Sequence, residues 1–166
     1  MTDRPEWLPS LMLLADYGGN RDQYIEALYQ QFSDDFVHSS LRFRGRRFGL
    51  KRHPMSQGKE ATFWHLISEG DDEATRQFDT NRCERIKWPR PIIENADTSP
   101  VLVWENQRGH EKRICLWLPD QEYLVILADR KGYLLLWTTY SVTRPQRKRK
   151  LLKEYDHWTR KQTENS

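Results

Sequence analysis

The sequence predicts an α+β fold: N-terminal helices, then a four-stranded antiparallel sheet, then a C-terminal helix. Three observations carry this expectation. Apolar residues recur at helical spacing in NRDQYIEALYQQFSDDFVHSS. From Val101 onward the pattern changes to four short apolar runs, VLVWEN, KRICLWLP, YLVILAD and YLLLWTTYSV, separated by NQRGHE, PDQE and DRKG. After Pro145 the stripe Leu151, Leu152, Tyr155 and Trp158 returns to helical spacing. A 3.6-residue period buries one side of a helix, whereas short runs broken by turn residues read as hairpin-connected strands. Helices segregated from an antiparallel sheet give the α+β class.

Each element has a local reason. Pro5, Pro9 and Gly18-Gly19 punctuate the start, so residues 1–20 read as an irregular arm. Asn20 suits a helix N-cap, and Asp22 in the first turn favours the helix dipole. Tyr24, Ile25, Leu28, Tyr29, Phe32 and Phe36 form the inner side of that helix, which ends near Val37. In LRFRGRRFGL apolar and basic residues alternate around Gly45, a hairpin or bulged strand with one cationic side. KRHPMSQGKE is a Pro/Gly loop, and EATFWHLISEG a helix for which Gly70 supplies a C-cap. RQFDTNRCERIKW reads as a short helix or an irregular arm broken by Pro89 and Pro91, and IIENAD begins a loop. The third and fourth apolar runs have no polar side, so helices should cover the sheet centre. Residues 160–166 read as a frayed tail, and 1–166 as a single domain.

With 166 residues the chain can bury a real core. Its hydrophobic fraction is 37%, but seven Trp, seven Tyr and six Phe compensate, since each ring buries about 150–250 Å². The net charge of +3 is small, yet basic residues are clustered. Arg42, Arg44, Arg46, Arg47, Lys51 and Arg52 form one acid-free block, and Arg144, Arg147, Lys148, Arg149 and Lys150 another. Converged in the fold, the two blocks would suit a phosphate backbone; singly, each reads equally well as solvated surface. Cys83 and Cys115 are too few for a disulfide scaffold or a metal ribbon. No apolar run approaches the roughly 20 residues that span a bilayer, and no signal-peptide pattern opens the chain. A reducing cytoplasm is the expected compartment.

No Gly-rich phosphate loop, HExxH, CxxC or GxSxG elbow occurs, so no metal or other cofactor is expected. The chemistry-bearing residues are cations, His, Tyr and Thr among aromatic rings. That mixture suits metal-independent RNA cleavage, in which a 2′-hydroxyl attacks the adjacent phosphate, a base and an acid move protons, and cations hold the phosphorane. His65 is the best placed of the five His for a proton step; a core-edge imidazole bonded to a carbonyl is its plain alternative. His53 lies in a basic loop, while His38, His110 and His157 suggest no role. The arm RCERIKWPRPII sets Arg82, Arg85, Lys87 and Arg90 among apolar residues, as a phosphate clamp or as a solvated edge. Thr139 and Tyr140, closing an apolar strand, can bond a phosphate or merely finish a ladder.

Taken together, GKEATFWHLISEG, RCERIKWPRPIIEN, RICLWLPDQEYLVILADR and GYLLLWTTY followed by RKRKLLKEY resemble the phage-type branch of the barnase–EndoU–colicin–RelE superfamily of RNases, over roughly Leu50 to Tyr155. The resemblance implies helices before a four-stranded antiparallel sheet and metal-independent RNA cleavage. It points to His65, Arg85 and Thr139 or Tyr140 as site residues. No second histidine beyond His53 suggests a two-histidine mechanism.

The expectation is therefore an endoribonuclease or RNase-like toxin module of a phage or mobile element, acting on RNA and held by an antitoxin or immunity protein. His65 would be the acid or base, Arg85 and Lys87 would stabilise the phosphorane, and Thr139 or Tyr140 would position the phosphate. Arg44, Arg46, Arg47, Lys51, Arg52, His53, Arg82, Arg147, Arg149 and Lys150 would hold the nucleic-acid backbone. The alternatives are a non-catalytic protein that binds RNA or DNA through the same basic face, and a module that meets an acidic protein partner.

Overall fold

The computed structural model describes residues 4–69 and 77–165. After a 3₁₀ turn at Leu14–Tyr17, helix α1 spans Arg21–Phe32 and runs on through a π turn at Ser33–Val37. Its start is capped as the sequence requires, with the Gln23 N–H donating to Asn20 Oδ1 at 3.0 Å. Tyr24, Leu28, Phe32 and Phe36 are buried, the stripe that the spacing predicts. The irregular segment before α1 is packed down: Leu8 and Met12 are buried, the Met12 N–H donates to Glu84 O at 2.9 Å, and the Tyr24 hydroxyl donates to Met12 O at 2.6 Å.

Strands β1 (Arg42–Phe43) and β2 (Arg46–Gly49) form the expected hairpin. Arg44 and Gly45 turn it with φ of 50° and 81°, the pair of positive values that a two-residue hairpin of matching twist needs. Helix α2 (Ala61–Ile67) is shorter than its sequence pattern. Ser68–Glu69 leave it as strand β3, which pairs with β4 (Gln77–Phe78) in a two-stranded ribbon; the Gly70 cap lies outside the described residues. Helix α3 covers Thr80–Glu84 and α4 covers Pro89–Glu94. The expectation that Pro89 and Pro91 break helical structure is corrected: both fall in the first turn of α4, where a missing N–H costs nothing, and Ile92 and Ile93 are buried helical residues rather than a loop.

The four apolar runs become β5 (Leu102–Arg108), β6 (Glu111–Leu118), β7 (Tyr123–Arg130) and β8 (Tyr133–Ser141), each antiparallel to the next. The four-stranded antiparallel sheet is corrected to a six-stranded mixed one in the order β1-β2-β8-β7-β6-β5. β2 lies parallel to β8, with Phe48 opposite Leu134 and Gly49 opposite Leu135. An apolar strand such as β8 left at an edge would expose a row of unpaired amides, and the hairpin covers the first part of it.

Alternation sends the two sides of the sheet to different cores. Ile114, Leu116, Leu118, Tyr123, Val125, Leu127, Leu134 and Leu136 join Phe32, Phe63, Trp88 and Ile92 beneath α1–α4. Trp104, Cys115, Trp117, Leu124 and Ile126 join Leu151, Tyr155 and Trp158 of helix α5 (Pro145–Glu164). Helix α5 packs against the edge strand β5. It is anchored by Glu154, whose Oε1 accepts from Trp104 Nε1 at 3.2 Å and Asn106 Nδ2 at 3.1 Å. No described helix is long and apolar enough to cross a membrane.

Candidate nucleic-acid interface

Helix α2 buries Phe63, Trp64, Leu66 and Ile67 and leaves His65 half-buried on its remaining side. That side meets β8: the imidazole lies 5.7 Å from the Trp137 ring centroid, inclined at 46°. His65 therefore faces a strand indole. Trp137 sits where the β7–β8 register slips, between Leu136 opposite Leu127 and Thr138 opposite Ile126. As the extra residue at this register shift it has no partner of its own on β7. It also lies past the end of β2, whose pairing with β8 stops at Leu135.

Two guanidinium groups approach the same ring. Arg113 Cζ is 5.2 Å and Arg130 Cζ 5.8 Å from its centroid, within cation–π range. Both are joined by one carboxylate: Arg113 Nη2 donates to Glu111 Oε2 at 3.4 Å, and Arg130 Nη1 donates to Glu111 Oε1. The Arg113, Arg130 and Glu111 side chains keep 22%, 34% and 21% of their surface exposed. Next along the sheet, Arg47 lies over the Tyr133 ring at 5.4 Å. Beyond α5, this half of the sheet carries aromatic and cationic side chains of its own strands; Trp137 is half-buried at the margin of the α5-side core, with His65 of α2 against it.

The expected site residues divide between the two sides of the sheet. Thr139, opposite Val125 and 2% exposed, faces the helices. It lies beside the wholly buried Tyr123, whose hydroxyl burial pushes upward, an effect opposed by Thr139 and by the nearby charges of Arg85 and Arg82. Tyr140, opposite Leu124, faces α5, and its hydroxyl accepts from Arg147 Nη2 at 3.0 Å. Successive strand residues point to opposite faces, so Thr139 and Tyr140 do not share one pocket.

Arg82 is a structural clamp. Its Nη1 donates to His65 O at 3.3 Å and Ser68 O at 2.8 Å, closing the end of α2, and only 12% of its side chain is exposed. Arg85 stacks over Trp88 at 5.1 Å and donates from Nη1 to Asn81 O at 3.3 Å; its buried Nε has no acceptor among the described residues. Lys87 is half-buried between α3 and α4. The first basic block is partly consumed by folding. Arg44 pairs with Asp97 at 2.8 Å. Arg46 pairs with Asp129 at 2.7 Å and donates to Arg130 O, tying the hairpin to the β7–β8 turn and holding the Asp129 carboxyl below its usual range. Lys51, Arg52 and His53 remain exposed in the loop, as do Arg149 and Lys150 on α5. The two blocks flank the sheet from opposite sides, β2 toward one edge and α5 over the other, with the Trp137 surface between them.

The residues that sequence reasoning missed are Glu111, Arg113, Arg130 and Trp137. Their signal was present in the DRKG turn and in the charged run Glu111-Lys112-Arg113 ahead of ICLWL. Recognising it needs the β6–β7–β8 register, and above all the bulge. No group of three or more His, Cys, Asp or Glu among the described residues could hold a metal ion. In comparisons with known proteins, no family model, no curated protein and no solved structure matches this chain.

Proposed function

We propose that the protein binds RNA through the half of the sheet left open by α5, with Trp137 at its centre. The observation that carries this is the single aromatic ring with two guanidinium groups and an imidazole around it. Guanidinium groups recognise phosphate oxygens bidentately, and aromatic or guanidinium planes stack on bases. Arg47 with Tyr133 and Arg147 with Tyr140 extend the same combination on either side. Anisotropy titration of a fluorescent RNA tests it. Affinity should fall steeply with salt, and Arg113→Gln with Arg130→Gln should lower the slope by about one ion each. Salt-independent or absent binding would refute it.

One observation favours a second proposal, metal-independent cleavage on the same surface: a titratable imidazole lies against the indole that the two guanidinium groups also approach. Here His65 would move a proton of the attacking 2′-hydroxyl or the leaving 5′-oxygen, and Arg113 and Arg130 would stabilise the phosphorane. This agrees with the RNase resemblance in its reaction but not in its partner residues, because Thr139 is buried on the far side of the sheet. Cleavage with EDTA present, yielding 2′,3′-cyclic phosphate ends and lost in His65→Ala, is the expected result. RNA bound and left intact between pH 5 and 8 would refute catalysis while leaving binding in place.

A further inference from the structure

We propose that Glu111 occupies, in the free protein, the position of a phosphodiester of single-stranded RNA, and that the unpaired base beside that phosphate stacks at Trp137. The inference rests on the RNA-binding proposal and specifies the ligand and its intrinsic competitor. One oxygen of the Glu111 carboxylate meets Arg113 and the other meets Arg130, the two-oxygen bridge that a phosphodiester's free oxygens also make. Both anions carry one negative charge, so exchanging them leaves the charge balance at the guanidinium pair unchanged. With Glu111 in place, the ligand must displace a carboxylate already held by two charge-assisted bonds. That lowers affinity and favours ligands that add a second interaction.

Trp137 supplies that second interaction. It lies at a bulge past the end of β2, flanked by His65 and by the same two guanidinium groups. Only an unpaired base can turn its face to a protein ring, since duplex bases are stacked on each other. The surface therefore selects single-stranded RNA over duplex RNA and over base-free polyanions.

The test compares three ligands by fluorescence anisotropy: a ten-nucleotide single-stranded RNA, an abasic phosphodiester of the same length, and a ten-pair RNA duplex. The proteins are wild type, Glu111→Gln, Trp137→Leu and Trp137→Phe, each checked for native melting. Wild type should prefer the single-stranded RNA. Glu111→Gln should tighten both single-stranded ligands by about 3- to 10-fold at low salt, because the competing charge is gone while the surrounding shape is kept. Trp137→Leu should weaken the RNA by about 5- to 100-fold, the scale of one stacked base, and weaken the abasic ligand by much less. Trp137→Phe should keep most of the affinity, and it decides the point should the leucine variant melt early. The inference is overturned if Glu111→Gln leaves affinity unchanged or lowers it, or if the Trp137 variants weaken RNA and abasic ligand alike. Either result leaves RNA binding itself standing, whereas no binding of any ligand by wild type overturns both.

Discussion

Gly49 offers a direct perturbation of the strand pairing that distinguishes this sheet from a four-stranded one. It lies in β2 opposite Leu135, and a Cβ built on it would stand 2.6 Å from Tyr133 Cδ2 and 2.8 Å from Cε2. Ordinary carbon contacts are about 3.5–4.0 Å, so the ring would have to retreat by roughly 1 Å. Forcing an extra methyl into a packed site costs about 1–3 kcal/mol. Against this, Ala in place of Gly within a strand recovers about 0.5–1 kcal/mol of chain entropy. The balance is a net loss of about 1–2 kcal/mol for Gly49→Ala, a fall in Tm of ~2–8 °C for a chain of this size. Calorimetry of Gly49→Ala, Tyr133→Ala and the double variant measures it. In the Tyr133→Ala background the methyl introduced at position 49 should be harmless or stabilising, giving a coupling energy of about 1–2 kcal/mol. A Gly49→Ala protein that melts above wild type, or a loss that persists undiminished without the Tyr133 ring, would refute the close packing of β2 on β8.

Further consequences concern other parts of the molecule. Glu154→Ala removes the acceptor of the Trp104 indole and the Asn106 amide and should cost about 1–3 kcal/mol by urea unfolding, with faster amide exchange in α5 than in α1; equal exchange would deny Glu154 its anchoring role. The Tyr29 hydroxyl, which donates to Glu60 Oε1 at 2.7 Å, is pushed up to about 12, first by that bond. A proton held more tightly in the folded state stabilises it fully below the unfolded value of about 10, and that contribution is lost as pH rises toward 12. The stability advantage of wild type over Tyr29→Phe should accordingly shrink across that interval, and a pH-independent difference would contradict it. Burial pushes the Cys83 and Cys115 thiols up to about 12; at about pH 8, below the ordinary thiol range, both should resist iodoacetamide in the native protein and react in urea, and rapid native labelling would show that their cover opens. Asp129, held low by Arg46, stabilises the fold above its unfolded range, and that contribution disappears as pH falls through the depressed folded value. Arg46→Gln should therefore flatten the acid limb of the stability curve measured by urea unfolding.

What was legible in the sequence is whatever local periodicity encodes. Asn20 and the Tyr24–Phe36 spacing gave α1, the DRKG and PDQE turns gave the antiparallel order of β5–β8, and Leu151, Tyr155 and Trp158 gave the inner side of α5. Parallel pairing of β2 with β8 joins segments far apart in the chain and leaves no local mark, so the hairpin was visible and its docking was not. Pro89 and Pro91 misled because proline is hostile to a helix interior and welcome in its first turn, and only the true start of α4 separates the two cases. His65 was identified as an unusual imidazole among apolar neighbours, and it does meet an aromatic ring. Its other neighbours could not be read, because choosing between Thr139 and Tyr140 needs the face each presents on β8, and Glu111, Arg113 and Arg130 converge only through cross-strand register. Arg44, Arg46 and Arg82 show the limit of charge counting: their positive charges are engaged by Asp97, Asp129 and the carbonyls that end α2.

Photocrosslinking tests the central claim most directly. A single-stranded RNA carrying 4-thiouridine is bound at low salt, irradiated, digested, and the modified peptides identified by mass spectrometry. RNA held on the open half of the sheet predicts crosslinks within Tyr133–Tyr140, with Trp137 the main site, and their loss when Arg113 and Arg130 are both replaced by Gln. Crosslinks confined to the outer side of α5 or to the Lys51–His53 loop would contradict it.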